Sequence, residues 1–258
     1  MCQSRGVDRV VLALVGERGV EIAHAVRELF ATAGTERTVL VVASSELPPR
    51  ARVRAALTAT AIAEYFRDRH HERVLLAIDS LSRVARAQRE VGLAVGELPV
   101  RQGYPPSVFE LLPQLVERAG NGAQGRMSAL YTLLSESELD DPMAAELASL
   151  VDGQLVLSAR LAAQGFFPAI DVLRSLSRNA ERLLPAAAVE VGRRLRAALA
   201  TLEAKERLVD AGVVSPASDP ELARLLALKP RLLDFLRQPS NEHCPREQSL
   251  QGLAALGL

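Results

Sequence analysis

Several residue types are scarce in this 258-residue sequence, and each scarcity excludes a class of protein. Tryptophan is absent, and the sequence has only two lysines, so nearly all of its positive charge comes from arginine. No stretch approaches the roughly 18 apolar residues of a membrane span, and the first residues lack the pattern of a secretory signal peptide. Cys2 and Cys244 lie at opposite ends and form no motif, which is typical of a reduced cytoplasmic protein.

The charge balance excludes a strongly basic surface. Lys and Arg number 31, and Asp and Glu also number 31, so nothing indicates a partner such as a nucleic acid. Apolar residues make up 48% of the chain, which is enough for a sizeable core. The length fits one large domain, or one domain with a small addition.

The segment from Arg73 to Asp79 is the one around which the rest of the sequence is organised. Its residues Val74 to Ile78 are all apolar, and the run ends in an acid. An uninterrupted apolar run is typical of a strand that is buried on both faces of a parallel sheet. An Asp at the carboxyl end of such a strand lies where open α/β sheets bind their ligands. This is the form of a Walker B strand, whose Asp holds Mg²⁺ on the phosphates of a nucleotide, although Asp79 and Ser80 also suit the start of a helix.

Strands and helices are predicted to alternate through the first half of the sequence. Val10 to Val15 and Thr38 to Ala43 are two further apolar runs of strand length. A helical spacing of apolar residues extends from the first run to Gly34, and a second helix is expected after Pro48. The stripe that this second helix is expected to bury consists of Val53, Leu57, Ala61 and Tyr65. The alternation predicts an α/β fold, in which crossover helices flank a parallel sheet.

The alternation continues after a loop rich in Gly and Pro, from Gly96 to Pro106. A helix is predicted at 107–119 and a strand at 128–134. Pro142 is expected to open a short helix that ends near Val151.

The pattern changes from Asn179 onwards. The sequence there predicts long helices rich in Leu, Ala and Arg, with a break that begins near Gly212. The expected division is therefore an α/β domain at 1–178, a helical domain at 179–238 and a flexible tail at 239–258.

A series of motifs occurs here in the same order as in a known family. The motifs are Asp79 to Ala94, Gly103 to Phe109, Glu117 to Gly120, Asp152 to Ser158 and Phe167 to Arg178. In these motifs the sequence closely resembles the type III secretion ATPases, the export motors of flagella and injectisomes, which are relatives of the catalytic subunits of rotary ATP synthases. The resemblance implies a RecA-like parallel sheet flanked by helices, here incomplete, followed by an all-helical C-terminal domain. It also implies ATP and Mg²⁺ as cofactors, with Asp79 holding the Mg²⁺ through water.

Glu17 follows the first predicted strand, in a turn that begins with Gly16 and ends with Gly19. Such a turn leaves the carboxylate projecting at the edge of the sheet. In the family that the sequence resembles, the Glu at this position orients and polarises the water that attacks the γ-phosphate. A carboxylate suits this task because it accepts a hydrogen bond from water. An acid that complements the dipole at the start of a helix is the alternative interpretation.

Arg178 matches the arginine finger of the family, which reaches the nucleotide of the neighbouring subunit. A guanidinium group suits this role because its planar fork meets phosphate oxygens while it is always charged. The alternative is a solvated arginine of the kind expected in so arginine-rich a chain. Phe167 matches the aromatic position that packs on adenine in relatives, whereas a Phe taken alone is more typical of a core.

The sequence contains no match to the phosphate-binding P-loop, G-x-x-x-x-G-K-[ST], because no Gly is followed by Lys. In the family, the P-loop and a small β-barrel domain come before the strand that matches Val10 to Val15. We therefore expect either a truncated form of a longer ATPase or a degenerate paralogue. The isolated chain is predicted to hydrolyse no ATP, because most of the triphosphate charge is left uncompensated.

The resemblance implies the function of a type III secretion ATPase, which releases chaperones from exported proteins and unfolds them in a hexameric ring. The implied partners are identical or full-length subunits, a central stalk, a stator and chaperone–substrate complexes. The implied location is the cytoplasm, in peripheral contact with the export apparatus at the inner membrane. A catalytically inactive assembly subunit is the alternative that is not an enzyme, and flagellar service is an alternative to injectisome service. An RNA motor related to Rho is disfavoured by the neutral charge.

Overall fold

The computed structural model describes residues 6–31, 35–134, 142–210, 213, 215, 219–239 and 242–257. The chain forms two compact units, Met1–Val151 and Asp152–Leu258. Cys2, the predicted helix end at Gly34 and the predicted break that begins near Gly212 lie outside the described residues.

The first unit is built on a five-stranded sheet in the order β2-β1-β3-β5-β4. Its strands are β1 (Arg9–Val15), β2 (Thr38–Ala43), β3 (Arg73–Asp79), β4 (Gly120–Asn121) and β5 (Arg126–Tyr131). The pairs β1–β2, β1–β3 and β3–β5 are parallel, and the short β4 is antiparallel to β5. The strand predicted to be central is therefore central, and the carboxyl ends of four parallel strands meet at one edge.

Helices connect the parallel strands, as the alternation predicts. In this unit they are α1 (Gly19–Ala31), α2 (Pro49–Arg69), α3 (Leu81–Ala94), α4 (Pro106–Glu117) and α5 (Pro142–Leu150), with a 3₁₀ turn at Thr35–Arg37. The last parallel strand ends at Tyr131 rather than at the predicted Leu134. It ends there because the chain leaves the sheet: the carbonyl of Thr132 accepts the N–H of Leu81, and the N–H of Leu134 donates to Ser82 Oγ.

The core of the first unit lies between the sheet and the helices α2 to α5. Apolar side chains of β1 and β3, such as Val11 and Leu76, are completely buried. The predicted stripe on α2 was only partly right, because Ala61 and Tyr65 are exposed while the neighbouring alanines Ala56, Ala59 and Ala63 are buried. Small side chains let the helix approach the sheet closely, so the helix turns its alanine face inward and its larger aromatic side chain outward.

The second unit begins with a two-stranded antiparallel sheet of β6 (Gly153–Leu157) and β7 (Ile170–Ser177). Its helices are α6 (Ala159–Ala163), α7 (Ala180–Leu183), α8 (Ala186–Asp210), α9 (Pro220–Leu236) and α10 (Arg246–Ala254). The sheet belongs with the helices in this compact unit, whereas the predicted domain boundary falls after β7. The predicted domain boundary at 178 therefore differs from the boundary between the two compact units, which lies between Val151 and Asp152. The domain boundary itself stays a prediction.

The described part of the segment expected to be a flexible tail contains a helix and a buried leucine. It contains α10, and Leu256 just beyond it is only 4% exposed. Leu256 packs with Leu195 and Leu232 from α8 and α9 in one apolar cluster. Leu256 is thus part of a helical core. Among the described residues, no helix combines the length and apolar character that a membrane span requires.

Candidate nucleotide-hydrolysis site

Glu17 and Asp79 lie at the same edge of the parallel sheet. β1 and β3 are neighbours, and Leu14 near the end of β1 is in register with Asp79 at the end of β3. The chain continues from β1 through Val15 and Gly16 to Glu17, so both carboxylates lie at the carboxyl ends of adjacent strands. This is the edge where open α/β sheets place their ligands.

The turn that carries Glu17 depends on Gly16. Its φ of +73° lies in the left-handed region, and a Cβ at this position would be 2.9 Å from Arg83 Cδ. The turn is held by two backbone hydrogen bonds, from Gly16 N–H to the Ala43 carbonyl at 2.7 Å and from Ser45 N–H to the Glu17 carbonyl at 2.9 Å. Glycine is therefore needed both for the backbone conformation and for the close approach of Arg83.

Arg83, in the first turn of α3, contacts both the turn and the carboxylate. Its Nη2 donates to Glu17 Oε2 at 2.9 Å, and its Nε lies 2.8 Å from Glu17 Oε1. Its Nη1 donates to the Gly16 carbonyl at 2.8 Å. The Glu17 side chain is 14% exposed and that of Arg83 is 28% exposed, so the pair is shielded from most solvent. The guanidinium group thus sets both the position and the orientation of the carboxylate.

The surroundings raise the pKa of Glu17 above its ordinary value. Burial is the main cause, followed by a hydrogen bond shared with the carboxyl group of Glu21. The positive charge of Arg83 opposes this rise, while the negative charge of Asp79 adds to it. A carboxyl group with a raised pKa is a better proton acceptor at neutral pH than an ordinary Glu, which suits general-base chemistry.

Asp79 is held by a neighbouring strand. Thr132, directly after β5, donates its hydroxyl hydrogen to Asp79 Oδ1 at 2.6 Å. The carboxylate keeps further acceptor capacity, because each of its oxygens has two lone pairs. Within the described ranges, no three His, Cys, Asp or Glu side chains lie close enough together to hold a metal ion. A single carboxylate fits Mg²⁺ better than other metals, since Mg²⁺ usually binds one or two carboxylates, several waters and the phosphates of a substrate.

Arg178 and Phe167 belong to the second compact unit. Arg178 is exposed directly after β7, and its N–H donates to the Asp152 carbonyl at 2.8 Å. Phe167 is 57% exposed, whereas the neighbouring Phe166 is only 6% exposed. Phe167 is therefore not a core residue, and its ring is available for stacking. The roles expected for Arg178 and Phe167 stay predictions. The same holds for the roles expected for Glu17 and Asp79.

Three residues around Glu17 and Asp79 were not predicted from the sequence to have a role in the site. Arg83 and Thr132 contact Glu17 and Asp79 directly, and Glu21 shares a hydrogen bond with Glu17. The sequence does not single out Thr132, because it lies inside the strand predicted at 128–134, and only the structure places it just after the end of β5. Arg83 lies within the motif Asp79 to Ala94, but nothing in the sequence pairs it with Glu17.

Two family models match this chain. Residues 1–177 match the ATP synthase alpha/beta family, nucleotide-binding domain, and residues 184–255 match the T3SS EscN ATPase C-terminal domain. Among curated relatives, the chain is 46% identical to the flagellum-specific ATP synthase of Treponema pallidum over 99% of its own length. It is 44% identical to the type 3 secretion system ATPase of Xanthomonas euvesicatoria over 95% of its length. The chain spans only 57% and 56% of the length of these two relatives.

Solved structures give the same result. The assembled ATPase EscN from the type III secretion system of enteropathogenic E. coli aligns with a TM-score of 0.91 at 39% identity, covering 99% of this chain and 62% of that one. A prototypical ATPase from the type III secretion system of pathogenic bacteria aligns with a TM-score of 0.87 at 38% identity, covering 99% and 73% respectively. The similarity therefore includes the fold as well as the sequence.

Proposed function

The chain belongs to the ATP synthase alpha/beta family, among the type III secretion and flagellar ATPases, and from this premise we propose that it works in an ATP-hydrolysing motor for protein export. Both kinds of relative match at nearly the same identity, 46% and 44%, so the proposal is for the export function that the two share.

The observation that carries the proposal is the pair of carboxylates, Glu17 and Asp79, at the edge of the sheet. Their environments differ: the Glu17 carboxylate is ion-paired with Arg83, whereas Asp79 accepts a hydroxyl hydrogen bond from Thr132. Two carboxylates in different environments can take different tasks in the same site.

Glu17 is the residue proposed to activate water. Its raised pKa favours acceptance of a proton or hydrogen bond from the attacking water, and Arg83 fixes the direction of its oxygens. Phosphoryl transfer depends mainly on positioning and electrostatic stabilisation, so a fixed carboxylate is more useful than a mobile one.

Asp79 is the residue proposed to hold Mg²⁺ through water, and Thr132 orients its carboxylate. Bound Mg²⁺ would neutralise charge on the β- and γ-phosphate oxygens. In this proposal the chain provides one oriented carboxylate, Asp79, while waters and phosphate oxygens complete the coordination of Mg²⁺.

The second unit is proposed to supply groups at the nucleotide and at a neighbouring site. Phe167 would stack on adenine, since its ring is exposed beside a buried neighbour, Phe166. Arg178 would act as the arginine finger in the site of an adjacent subunit, where its exposed position and permanent charge suit contact with phosphate oxygens.

The proposed partners are other ATPase subunits in a hexameric ring, a central stalk, a stator and chaperone–substrate complexes. A solved relative is the assembled ATPase EscN, and another structure shows EscN in complex with its central stalk EscO. The proposed location is the cytoplasm, at the inner face of the bacterial inner membrane.

A mixed assembly tests the proposal. A full-length type III secretion ATPase that lacks its own arginine finger supplies the P-loop, and this chain supplies Arg178. We expect the mixture to regain ATP hydrolysis, because a finger contributes about 10³–10⁵ in rate in other phosphoryl-transfer systems. Steady-state phosphate release measures the recovery.

The matched controls are Arg178→Ala, which should restore nothing, and Arg182→Ala, which alters an exposed arginine a few residues further on and should restore fully. Arg178→Lys should recover little, because Lys lacks the planar fork. Co-sedimentation shows whether the two chains associate. If they associate and the Arg178→Ala chain restores as much hydrolysis as the unaltered chain, the finger assignment is wrong.

A further inference from the structure

Phe166 and Phe167, which come just before β7, contact the residues that follow α9. All of these residues belong to the second unit. Phe166 is 6% exposed, and the guanidinium carbon of Arg237 lies 5.2 Å from the centre of its ring. The N–H of Gln238, the next residue, donates to the carbonyl of Phe167 at 3.0 Å. Two consecutive residues after α9 thus contact two consecutive aromatic residues.

The end of α9 is a firm support for these contacts. The N–H of Arg237 donates to the carbonyls of Leu233 and Asp234, so Arg237 caps the end of α9, where its own backbone becomes extended. Leu232, one turn earlier, is completely buried in the apolar cluster shared with α8 and Leu256. The position of Arg237 is therefore fixed by the helical core.

We infer that Arg237 is a positioning residue for Phe167. By stacking on the ring of Phe166 it fixes the backbone at 166–168, and the Gln238 hydrogen bond then sets the direction in which the exposed ring faces. For its function the inference rests on the proposed adenine role of Phe167. It adds that adenine affinity depends on the end of α9, which itself lies outside the stacking surface.

An indole introduced by Phe167→Trp tests this directly in the 258-residue chain, since the sequence contains no tryptophan of its own. In this background, the variants are Arg237→Gln, Arg237→Lys and the matched control Arg224→Gln, which alters an exposed arginine within α9. A cation–π contact at an exposed site shifts a conformational equilibrium about two- to fivefold. We expect Arg237→Gln to shift the introduced indole towards mobile conformers by such a factor, and therefore to lower its fluorescence anisotropy and raise its quenching by acrylamide. Arg237→Lys should restore part of the effect, and Arg224→Gln should change nothing.

Melting temperature and circular dichroism separate positioning from general loss of structure. The second variant, Phe166→Leu, keeps apolar volume but removes the ring, and it should produce the same change in indole fluorescence as Arg237→Gln. The double variant should add little to either single change. Unchanged anisotropy in both Arg237→Gln and Phe166→Leu overturns the inference, as does an equal change in Arg224→Gln.

Titration with adenosine and with guanosine reads the proposed function separately, because nucleosides carry no phosphate and so need no P-loop. Quenching of the introduced indole by adenosine, weakened about two- to fivefold in Arg237→Gln, supports both proposals. If the indole responds to neither nucleoside while Arg237→Gln still alters its anisotropy, the adenine role of residue 167 fails and the positioning role stands.

Discussion

Arg83 donates from Nη2 to Glu17 Oε2 at 2.9 Å and from Nη1 to the Gly16 carbonyl at 2.8 Å, and its Nε lies 2.8 Å from Glu17 Oε1 as part of the ion pair. Arg83 thus contacts both the Glu17 carboxylate and the turn at Gly16 that positions it. Removing the guanidinium group of Arg83 takes this hydrogen-bond donor from the shielded Glu17 carboxylate and from the Gly16 carbonyl.

For Arg83→Ala we expect the free energy of unfolding to fall by about 1–3 kcal/mol at neutral pH, because a mostly buried charge loses its partner. The pKa of Glu17 should rise further, since the charge that lowers it is gone. Urea unfolding and a carboxyl NMR titration measure the two effects. Arg83→Lys should recover part of both, and an unchanged pKa in Arg83→Ala would contradict the ion pair.

The raised pKa of Glu17 also predicts a pH dependence of stability. The folded chain keeps the proton on Glu17 at pH values where the unfolded chain loses it. The stability that Glu17 contributes is therefore present below its ordinary pKa and is lost as pH rises through the raised value. The Glu17→Gln chain should gain stability relative to the parent as pH rises from the ordinary pKa of a Glu carboxyl group through the raised pKa of Glu17. A difference in unfolding free energy that stays constant over this range would refute it.

Tyr131 predicts a second pH effect, in the alkaline range. Burial raises its pKa to about 12, and within the described part of the chain its hydroxyl has no hydrogen-bond partner. Its contribution is present below the ordinary pKa near 10 and is lost as pH rises towards 12. Going from pH 8 to pH 11, the parent should lose about 1 kcal/mol more stability than Tyr131→Phe. Equal losses in the two chains would show that the phenol is not shielded.

Gly125 and Gly19 form a matched pair of glycine substitutions. A Cβ on Gly125 would lie 2.0 Å from the carbonyl oxygen of Arg67 at the end of α2, whereas a Cβ on Gly19 meets nothing within 4 Å. Gly125→Ala should cost about 3 kcal/mol or more, because backbone must move to admit the methyl group. Gly19→Ala should be neutral or stabilising by about 0.5 kcal/mol, because Ala favours the helix. Chemical unfolding of both variants checks this, and similar losses would contradict the packing at Gly125.

The packed end of the chain is tested at Leu256, which is 4% exposed. Leu256→Ala should cost about 2–3 kcal/mol, since it leaves a cavity in the α8–α9 cluster. The matched control is Leu183→Ala, because Leu183 is 66% exposed and its loss should change stability by less than about 0.5 kcal/mol. If Leu256→Ala behaves like the control, and a protease removes the last residues without affecting the melting temperature, the segment is a tail after all.

The sequence by itself determined the parallel sheet and the edge at which Asp79 lies. The apolar runs of β1 and β3 are uninterrupted, so only a sheet covered on both faces accommodates them, and Asp79 at the end of one run necessarily lies at the carboxyl edge. The ordered motifs from Asp79 to Arg178 were enough to indicate the family. These features are local, because each depends on residues close together along the chain.

Tertiary structure decided the contacts that join distant segments. Arg83 reaches Glu17 across 66 positions, and Thr132 reaches Asp79 across 53, and neither partner is specified by periodicity. The same limit explains α2, where the apolar spacing favoured Tyr65 but close packing on the sheet selected alanines. It also explains Leu256, which became a core residue because α8 and α9 together leave apolar surface that α10 covers. A sequence pattern indicates how much apolar surface a helix or strand has. Which other element packs on that surface depends on the tertiary structure.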